Sequence, residues 1–418
     1  MAMGGDRVFD IVIAGGGMIG ATLALALRPL GLRVAIVEAV ARSDESQPSF
    51  DDRSTALSRS TQRMYEAMGL WASIVAASTP ITRLHVSDRG RFGFSHIDAE
   101  EQGVEALGYV VINRVLGRVL QEALDSSCAA EMICPARIVD ARVAEDHVAV
   151  TTAGDSGAGR EIRGKLLVAA DGARSAVRDM LGIGARHVGY GQTAIVGNLL
   201  TEKPLANRAF ERFTQDGPLA LLPLTEGRVG FVWTLADKDA HHAMELDDAD
   251  FLAGLQEAFG YRLGSFSKVG KRSHYPLALS KALRLTAPRA VLVGNAAHGL
   301  HPVAAQGFNL GLRDVATLCD CIADALGAAG DNGIEFDPGA AGLLDRYAAW
   351  RRSDQQKLVG FTDGLVRLFG RRARPVRVLR NIGMLGFDLV PGVRAVFAKH
   401  MMGLAGRLPR LSRGVPLK

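Results

Sequence analysis

Cysteine is scarce in this chain, and the few present fall into no metal or redox pattern. Cys128, Cys134, Cys319 and Cys321 form no C-x-x-C pair and share no Cys/His ligand spacing. Zinc and thioredoxin-like chemistry are therefore unsupported, and reduced thiols in a cytoplasmic setting are the simplest expectation. A bilayer-spanning run is missing too. The uncharged stretch Ile11 to Leu27 contains a triple glycine and falls short of the roughly 20 apolar residues a spanning helix needs. It reads as strand, turn and helix rather than as a signal peptide. No internal repeat is visible. Hydrophobic residues at 48% and charged residues at 22% are ordinary for a globular protein and argue against disorder. The length of 418 residues allows two or three lobes.

Acid is nearly absent from one region. From Gly364 to Lys418 twelve Lys or Arg stand against Asp388 alone, a net +11 within a chain of net +5, which leaves the first 363 residues at −6. The basic stretch also carries Phe361, Leu365, Leu368, Phe369, Leu379, Met384, Phe387, Val396 and Phe397 at its start and along it. Arginine mixed with apolar residues at helical spacing predicts an amphipathic surface helix.

Along the chain, Phe9 to Ala14 reads as a strand, Met18 to Leu30 as a helix and Arg33 to Glu38 as a second strand. This βαβ opening predicts a parallel sheet. Strand signals follow near Leu84 and Phe94, from Val143 to Thr152, from Glu161 to Ala170, from Val229 to Leu235 and from Arg289 to Val293. Helices are expected over Asn113 to Leu124, Asp248 to Phe259 and Gly307 to Leu326, and the chain beyond the loop Gly330 to Gly339 reads as mostly helical.

Gly15-Gly16-Gly17-Met18-Ile19-Gly20 fits G-x-G-x-x-G between that first strand and helix, with Glu38 ending the second strand. In this context the motif is a strong sign of a dinucleotide turn. Glycines let backbone amides approach a pyrophosphate, and the helix N-terminus carries partial positive charge. Glu38 suits a ribose diol and repels a 2′-phosphate. Asp171-Gly172-Ala173-Arg174-Ser175 follows a strand, and its carboxylate reads either as a group near the ligand or as a helix cap. A third motif runs from Gly294-Asn295-Ala296-Ala297-His298 through His301-Pro302 to Gly307-Phe308-Asn309. Asn295 can bond ribityl or phosphate oxygens, and amides at the start of the next helix can stabilise negative charge on a reduced ring. His298 and His301 lack the i, i+4 spacing of a metal pair, and ordinary partial burial is expected of them. Arg53 lies in a polar loop, Asp51 to Leu57, and reads equally as a solvated arginine.

Together these residues resemble the class A flavoprotein monooxygenases, and more narrowly the ubiquinone-biosynthesis FAD-dependent hydroxylases of the 2-polyprenyl-6-methoxyphenol hydroxylase type. The narrow features are Asp52 to Leu57, Leu292 to His298 through Arg313-Asp314-Val315, Thr362 to Leu365, and Met402-Gly403-Leu404. The resemblance spans nearly the whole chain. It implies an α/β fold: a Rossmann-like FAD-binding domain of the p-hydroxybenzoate hydroxylase type (1–80, 103–187 and 288–335), an inserted β-sheet substrate domain (81–102 and 188–287), and a helical basic C-terminal region (340–418). It implies FAD bound by Gly15, Gly17, Gly20, Glu38, Arg53, Arg118, Asp171, Asn295, Gly307, Phe308 and Asn309. Arg53, His301 and Pro302 would stand at the reacting flavin, and no metal is called for. Two departures are visible. Asn295 replaces the usual aspartate, and Ala305 stands where glycine is usual, which bears on pocket shape.

The implied reaction is hydroxylation of a polyprenylated phenol through a flavin C4a-hydroperoxide, with NADPH or NADH and O2 as co-substrates. A bilayer-resident substrate gives the basic tail a purpose, since each Lys or Arg near anionic lipid contributes roughly 1 kcal/mol. The expected location is cytoplasmic, on the inner face of the membrane. Other ubiquinone-biosynthesis proteins are candidate partners and nucleic acid is not. The alternatives are docking of the tail on an acidic surface, a same-fold FAD oxidoreductase with another phenolic or isoprenoid substrate, and a non-catalytic FAD-binding subunit. An NAD-dependent dehydrogenase is less well supported, since no Tyr/Lys or His pair is convincingly placed beyond the first βαβ unit.

Overall fold

The segment Val8–Ala14 carries a β-branched run, and Ile11, Val12 and Ile13 are wholly buried. A strand apolar on both faces belongs inside a covered parallel sheet, and this one does. In the computed structural model, which describes residues 8–41, 53–89, 94–154, 159–299, 306–370 and 391–418, it pairs in parallel with Val34–Val37 on one side and Arg160–Ala169 on the other. Ala290–Leu292 extends the sheet in parallel beyond Arg160–Ala169, and Glu131–Ile133 extends it beyond Val34–Val37. Strands Arg137–Val143 and Val148–Ala153 complete this eight-stranded sheet by antiparallel pairing.

The helix Met18–Leu27 is apolar all round and is buried from Gly20 to Leu27, as expected of a helix enclosed on every side. It packs against helices Asn113–Ser127 and Gln306–Asn332. It stops three residues short of the expected Leu30, where Arg28–Leu30 tightens into a 3-10 turn. Pro29 lacks the amide that would continue the α-helical ladder. The strand expected from Val143 to Thr152 starts five residues late, at Val148; Val143 ends the preceding strand, and Ala144 donates to His147 O across a tight turn. Polar turn residues at Glu145-Asp146 favour that reversal.

A second sheet of nine strands stands beside the first. Its spine is Ala185–Thr201, paired antiparallel with Val229–Ala236 and Ser273–Ala282. Pro218–Pro223 and Arg208–Phe213 follow, and Arg208–Phe213 pairs in parallel with Arg83–Asp88, which pairs with Phe94–Asp98. Segments a hundred residues apart therefore share one sheet. Helices Asp237–Glu245 and Asp248–Phe259 pack on it through a core that includes Phe231, Trp233, Phe251 and Phe259. A three-stranded sheet of Ser54–Ser58, Gly108–Ile112 and Ser78–Ile81 lies apart from the other two.

The C-terminal region contains helices Ala341–Gly370 and Pro391–Met401. Much of the basic stretch, 371–390, lies outside the described residues. Residues 402–418 are not α-helical as expected. They run over the first lobe, where Leu411 and Leu417 enter the main core. Arg410 pairs with Asp320 and Asp324, Arg394 pairs with Glu101, and the Arg407 guanidinium lies 3.9 Å from the Trp350 ring centroid. Among the described residues no helix is long and apolar enough to cross a membrane.

Candidate functional site

All three glycine-bearing motifs meet at the carboxyl ends of adjacent parallel strands, the usual ligand crevice of an open α/β sheet. Gly15 has φ +98°, and a Cβ there would meet Ala170 O at 2.6 Å. A Cβ at Gly20 would meet Gly15 O at 1.9 Å. The turn and the helix behind it can approach this closely only as glycine. Gly17 caps the helix without a side-chain bond, and the first turn holds no acid. The positive helix end is therefore left for a ligand. Glu38 Oε2 accepts the Gly16 amide at 2.6 Å and Oε1 accepts Val40 at 2.8 Å. A carboxylate has about four acceptor sites, so this bracing leaves acceptor capacity for a diol.

The Asp171 carboxylate reaches the start of the helix Ala176–Met180, whose N-cap is Ser175. Oδ2 accepts the Val177 amide at 3.1 Å, while Oδ1 is buried with no protein partner. A buried acceptor without a donor calls for one from a ligand or water. Arg178, buried five residues after Ala173, donates to Ala173 O at 3.2 Å and Ala296 O at 3.3 Å. It thereby fastens the Asp171 loop to the Gly294 turn. Gly172 and Gly307 face open space where a Cβ would meet nothing. These residues, with Gly17, Asn295 and Phe308, line a cavity of about 2000 Å³ counted to its open mouth. An orphaned acceptor, an uncapped helix start and glycine-lined walls fit the phosphate and ring portions of FAD.

Arg53 also lines this cavity, with its guanidinium 4.7 Å from the Tyr275 ring centroid. Its carbonyl accepts the Asn113 amide, and Thr55 Oγ1 donates to Asn113 Oδ1. Arg118 is not brought there. It is exposed on its helix, 3.9 Å from Glu122 one turn on. Asn309 starts the expected helix, but its side chain turns to the neighbouring strand. Oδ1 accepts from the Ser58 amide and the Thr61 hydroxyl, and Nδ2 donates to Ala56 O. His301 and Pro302 lie outside the described residues.

A second, apolar chamber of about 790 Å³ counted to its open mouth adjoins the first. Ala56, Leu222 and Val232 line both. The rest of its wall comes from strands of the nine-stranded and three-stranded sheets, from Leu107 and Asn309, and from Ala398 and Met401 of the helix Pro391–Met401. Among its lining residues only Glu211 is titratable, and burial pushes its carboxyl up to about 7.

Behind the Gly294 turn lies a charged network that no local motif announces. His298 is fully buried rather than partly so, with Nε2 2.6 Å from Asp314 Oδ2. The same oxygen accepts the Gly294 amide at 2.9 Å, and Oδ1 accepts Arg351 Nε at 2.6 Å. Arg351 Nη1 reaches Asp354 at 2.8 Å, Asp354 pairs with Arg313 at 2.9 Å, and Arg313 donates to the carbonyls of Gly403 and Ala405. Burial raises the Asp314 carboxyl, but His298 and Arg351 outweigh it and hold the group below the usual carboxylate range.

The FAD-binding domain family matches residues 8–362. The chain is 40% identical to ubiquinone hydroxylase UbiL of Rhodospirillum rubrum, covering 99% of this chain and 94% of that one. It is 30% identical to the 3-demethoxyubiquinol 3-hydroxylase of Escherichia coli, covering 94% and 98%. The crystal structure of p-nitrophenol 4-monooxygenase PnpA from Pseudomonas putida superposes with a TM-score of 0.78 over 96% of this chain and 99% of that one, at 19% identity, which is a likeness of fold. With the dinucleotide turn, the carboxyl-edge cavity and these relatives together, the chain belongs to the FAD-dependent monooxygenases, in the family of the ubiquinone hydroxylases.

Proposed function

We propose that this protein uses NAD(P)H and dioxygen to hydroxylate a polyprenylated phenol in ubiquinone biosynthesis, with 2-polyprenyl-6-methoxyphenol as the first substrate to try. The observation that carries this reading is the apolar chamber beside the glycine-lined cavity, with Ala56, Leu222 and Val232 lining both. An isoprenoid-bearing ring needs an apolar enclosure, and an oxygen-transferring cofactor must reach that ring without water between them. The names of the relatives support the substrate class.

The bound flavin supplies dioxygen activation and oxygen transfer, chemistry no side chain offers. The amides opening the Met18–Leu27 helix would hold the pyrophosphate, and Glu38 the ribose diol. Asn295 would donate to ribityl or phosphate oxygens, Asp171 Oδ1 would accept from a hydroxyl of the cofactor, and Arg53, fixed over Tyr275, would lie along the ring. Gly307 and Phe308 would back the flavin.

The direct test is purified holoenzyme under isotopically labelled dioxygen with a prenylated phenol and NADH or NADPH. One labelled oxygen per product molecule is expected. Flavin reduction without labelled product would refute the reading and leave an oxidoreductase of another kind. Cells lacking the gene should accumulate one prenylated phenol and lose ubiquinone.

The basic tail supports peripheral attachment to an anionic lipid surface, the location of such a substrate. Arg394, Arg407 and Arg410 are engaged with the body, so the attachment is assigned to the six arginines from Arg367 to Arg380. Deleting the tail would also strip Leu411 and Leu417 from the core. The cleaner test replaces Arg371, Arg372, Arg374 and Arg377 with glutamine and measures co-sedimentation with phosphatidylserine vesicles. Undiminished binding would refute this attachment.

A further inference from the structure

Glu211 is an odd residue to find in the wall of an apolar chamber. It lies on the strand Arg208–Phe213, opposite Val86 on one side and Ala220 on the other, neither of which offers a charge. Its neighbour Arg212 leaves on the other face of the sheet, as alternation requires, with its guanidinium 5.9 Å from the Phe259 ring centroid. Among the described residues the Glu211 carboxyl has no hydrogen bond and no ion pair. Around it the chamber is lined by side chains such as Ile81, Leu84, Leu107 and Leu222.

Two other polar side chains reach the chamber, Ser58 and Asn309, and both are committed elsewhere. Ser58 bonds Ser60 and Thr61, and Asn309 bonds Ser58, Thr61 and Ala56. The helix Pro391–Met401 contributes only Ala398 and Met401. Among the described residues no second titratable group lines the chamber. Burying a carboxyl without a partner is costly. A lone acid perturbed by desolvation, in a cleft beside a cofactor cavity, marks a functional position.

We propose that Glu211 accepts the hydrogen bond of the phenol hydroxyl in this chamber and acts as general base toward it. This rests on the hydroxylase reading. The proton passes from the phenol oxygen to a Glu211 carboxylate oxygen, and the O–H electron pair stays on the phenol oxygen and feeds the ring. The ortho or para carbon then takes one oxygen atom from dioxygen with its hydrogen, and the hydrogen displaced from that carbon leaves as a proton. The second oxygen atom leaves as water, taking from NAD(P)H a hydride, which carries the two electrons and one hydrogen, and from solvent one proton; the ring proton released balances the hydrogen delivered with the first oxygen. Glu211 finally returns its proton to the phenolate oxygen. A base that titrates near neutrality is matched to this task.

The test compares wild type with Glu211→Gln as FAD-loaded holoenzymes across pH 5.5 to 9. The readouts are hydroxylated product and hydrogen peroxide per NAD(P)H consumed. For wild type, the hydroxylation rate should rise through an inflection near 7 and then level off. In Glu211→Gln the inflection should vanish and product formation should fall on the order of 10²-fold or more, the usual contribution of a general base. Reducing equivalents would then appear as peroxide. With a ring-fluorinated phenol that is already ionised at pH 8, the gap between wild type and variant should narrow at least about tenfold, because no base is then needed. A structural role would not produce that narrowing.

Full hydroxylation by Glu211→Gln with an unchanged pH profile would overturn the proposal. If the variant fails to retain FAD, the wild-type series decides. An inflection that stays near 7 for un-ionised phenols and vanishes for phenols already ionised supports Glu211, and one that follows the acidity of the phenol, or persists with ionised phenols, overturns it. Wild type that binds FAD yet hydroxylates no prenylated phenol would remove the hydroxylase reading, and this proposal with it.

Discussion

Replacing Asp314 with asparagine should unfasten the cofactor turn from the rest of the molecule. Its carboxylate accepts three buried hydrogen bonds, from the Gly294 amide, His298 and Arg351. Asparagine keeps one acceptor oxygen and turns an NH2 donor toward a donor on the other side. It also leaves the Arg351 guanidinium, which is fully buried, with only Asp354 to balance it. Breaking a buried pair by removing one partner costs about 3–5 kcal/mol, a large share of the roughly 5–15 kcal/mol that holds a native protein together. With an unfolding entropy of about 2.1 cal/mol/K per residue, a 4 kcal/mol loss spread over 418 residues lowers the melting temperature by about 5 °C. The shift is larger if the first lobe unfolds on its own. The assays are thermal melts with and without added FAD and the flavin-to-protein ratio after gel filtration. FAD content should fall along with stability, because Asn295, on the cavity wall, follows directly after Gly294. Asp354→Asn is the control. It disturbs the same network two residues removed from the turn and should cost about half as much, with FAD retained. A double variant, Asp314→Asn with Arg351→Gln, should cost less than the sum of its parts, since contacting residues couple. An Asp314→Asn protein that melts within about 1 °C of wild type and keeps its flavin would refute the reasoning.

Other perturbations have equally definite outcomes. Gly20→Ala places a Cβ 1.9 Å from Gly15 O, so the purified variant should lack bound flavin and lose about 1–3 kcal/mol by denaturant titration. Glu211→Gln should be stabilising at alkaline pH. The folded-state value of about 7 lies above the reference 4.5, so wild type has its full stability below pH 4.5 and loses it as pH rises through 7. Gln does not titrate, and its advantage should therefore grow over that window to at most about 3 kcal/mol. A constant difference in chemical-denaturation midpoints between pH 5 and pH 8 would refute it. Arg118→Ala removes only an exposed contact to Glu122, and stability should change by less than about 0.5 kcal/mol. Fluorescence titration should find FAD affinity intact, and a large loss would restore Arg118 as a cofactor ligand.

What could be read from the amino acids was whatever is local. The G-x-G-x-x-G turn, its flanking strands and Glu38 lie within about one βαβ unit, and hydrophobic period and glycine placement mark them directly. The mixed α/β architecture followed from that opening and from the family resemblance. Where local chemistry was misread, the cause is equally local: Pro29 ended a helix early, and a polar turn delayed the strand expected from Val143 until Val148. Glu211 gave no signal, because its significance comes from its uncharged strand partners Val86 and Ala220 and from the chamber it lines with Ala220 and Leu222, which only strand pairing assembles. Tyr275 beside Arg53 and Arg351 beside Asp314 are likewise partners across long stretches of chain. Asn309 was placed correctly at a helix start, but nothing in its neighbours tells which way its side chain points.

The charged chain from Gly294 to Gly403 has a consequence for the order in which this protein can be made. The central sheet needs Ala290–Leu292 against Arg160–Ala169, and the turn after it is braced through Asp314, Arg351, Asp354 and Arg313 to the carbonyls of Gly403 and Ala405. Leu411 and Leu417 then plug the same core. A growing polypeptide on the ribosome therefore lacks a finished nucleotide pocket until residues 402–418 have emerged. Domains usually fold as units from the N-terminal side during synthesis. Here the glycine-lined lobe, although it begins at the first strand, is completed only after the nine-stranded sheet, so cofactor capture is expected to wait on residues 402–418.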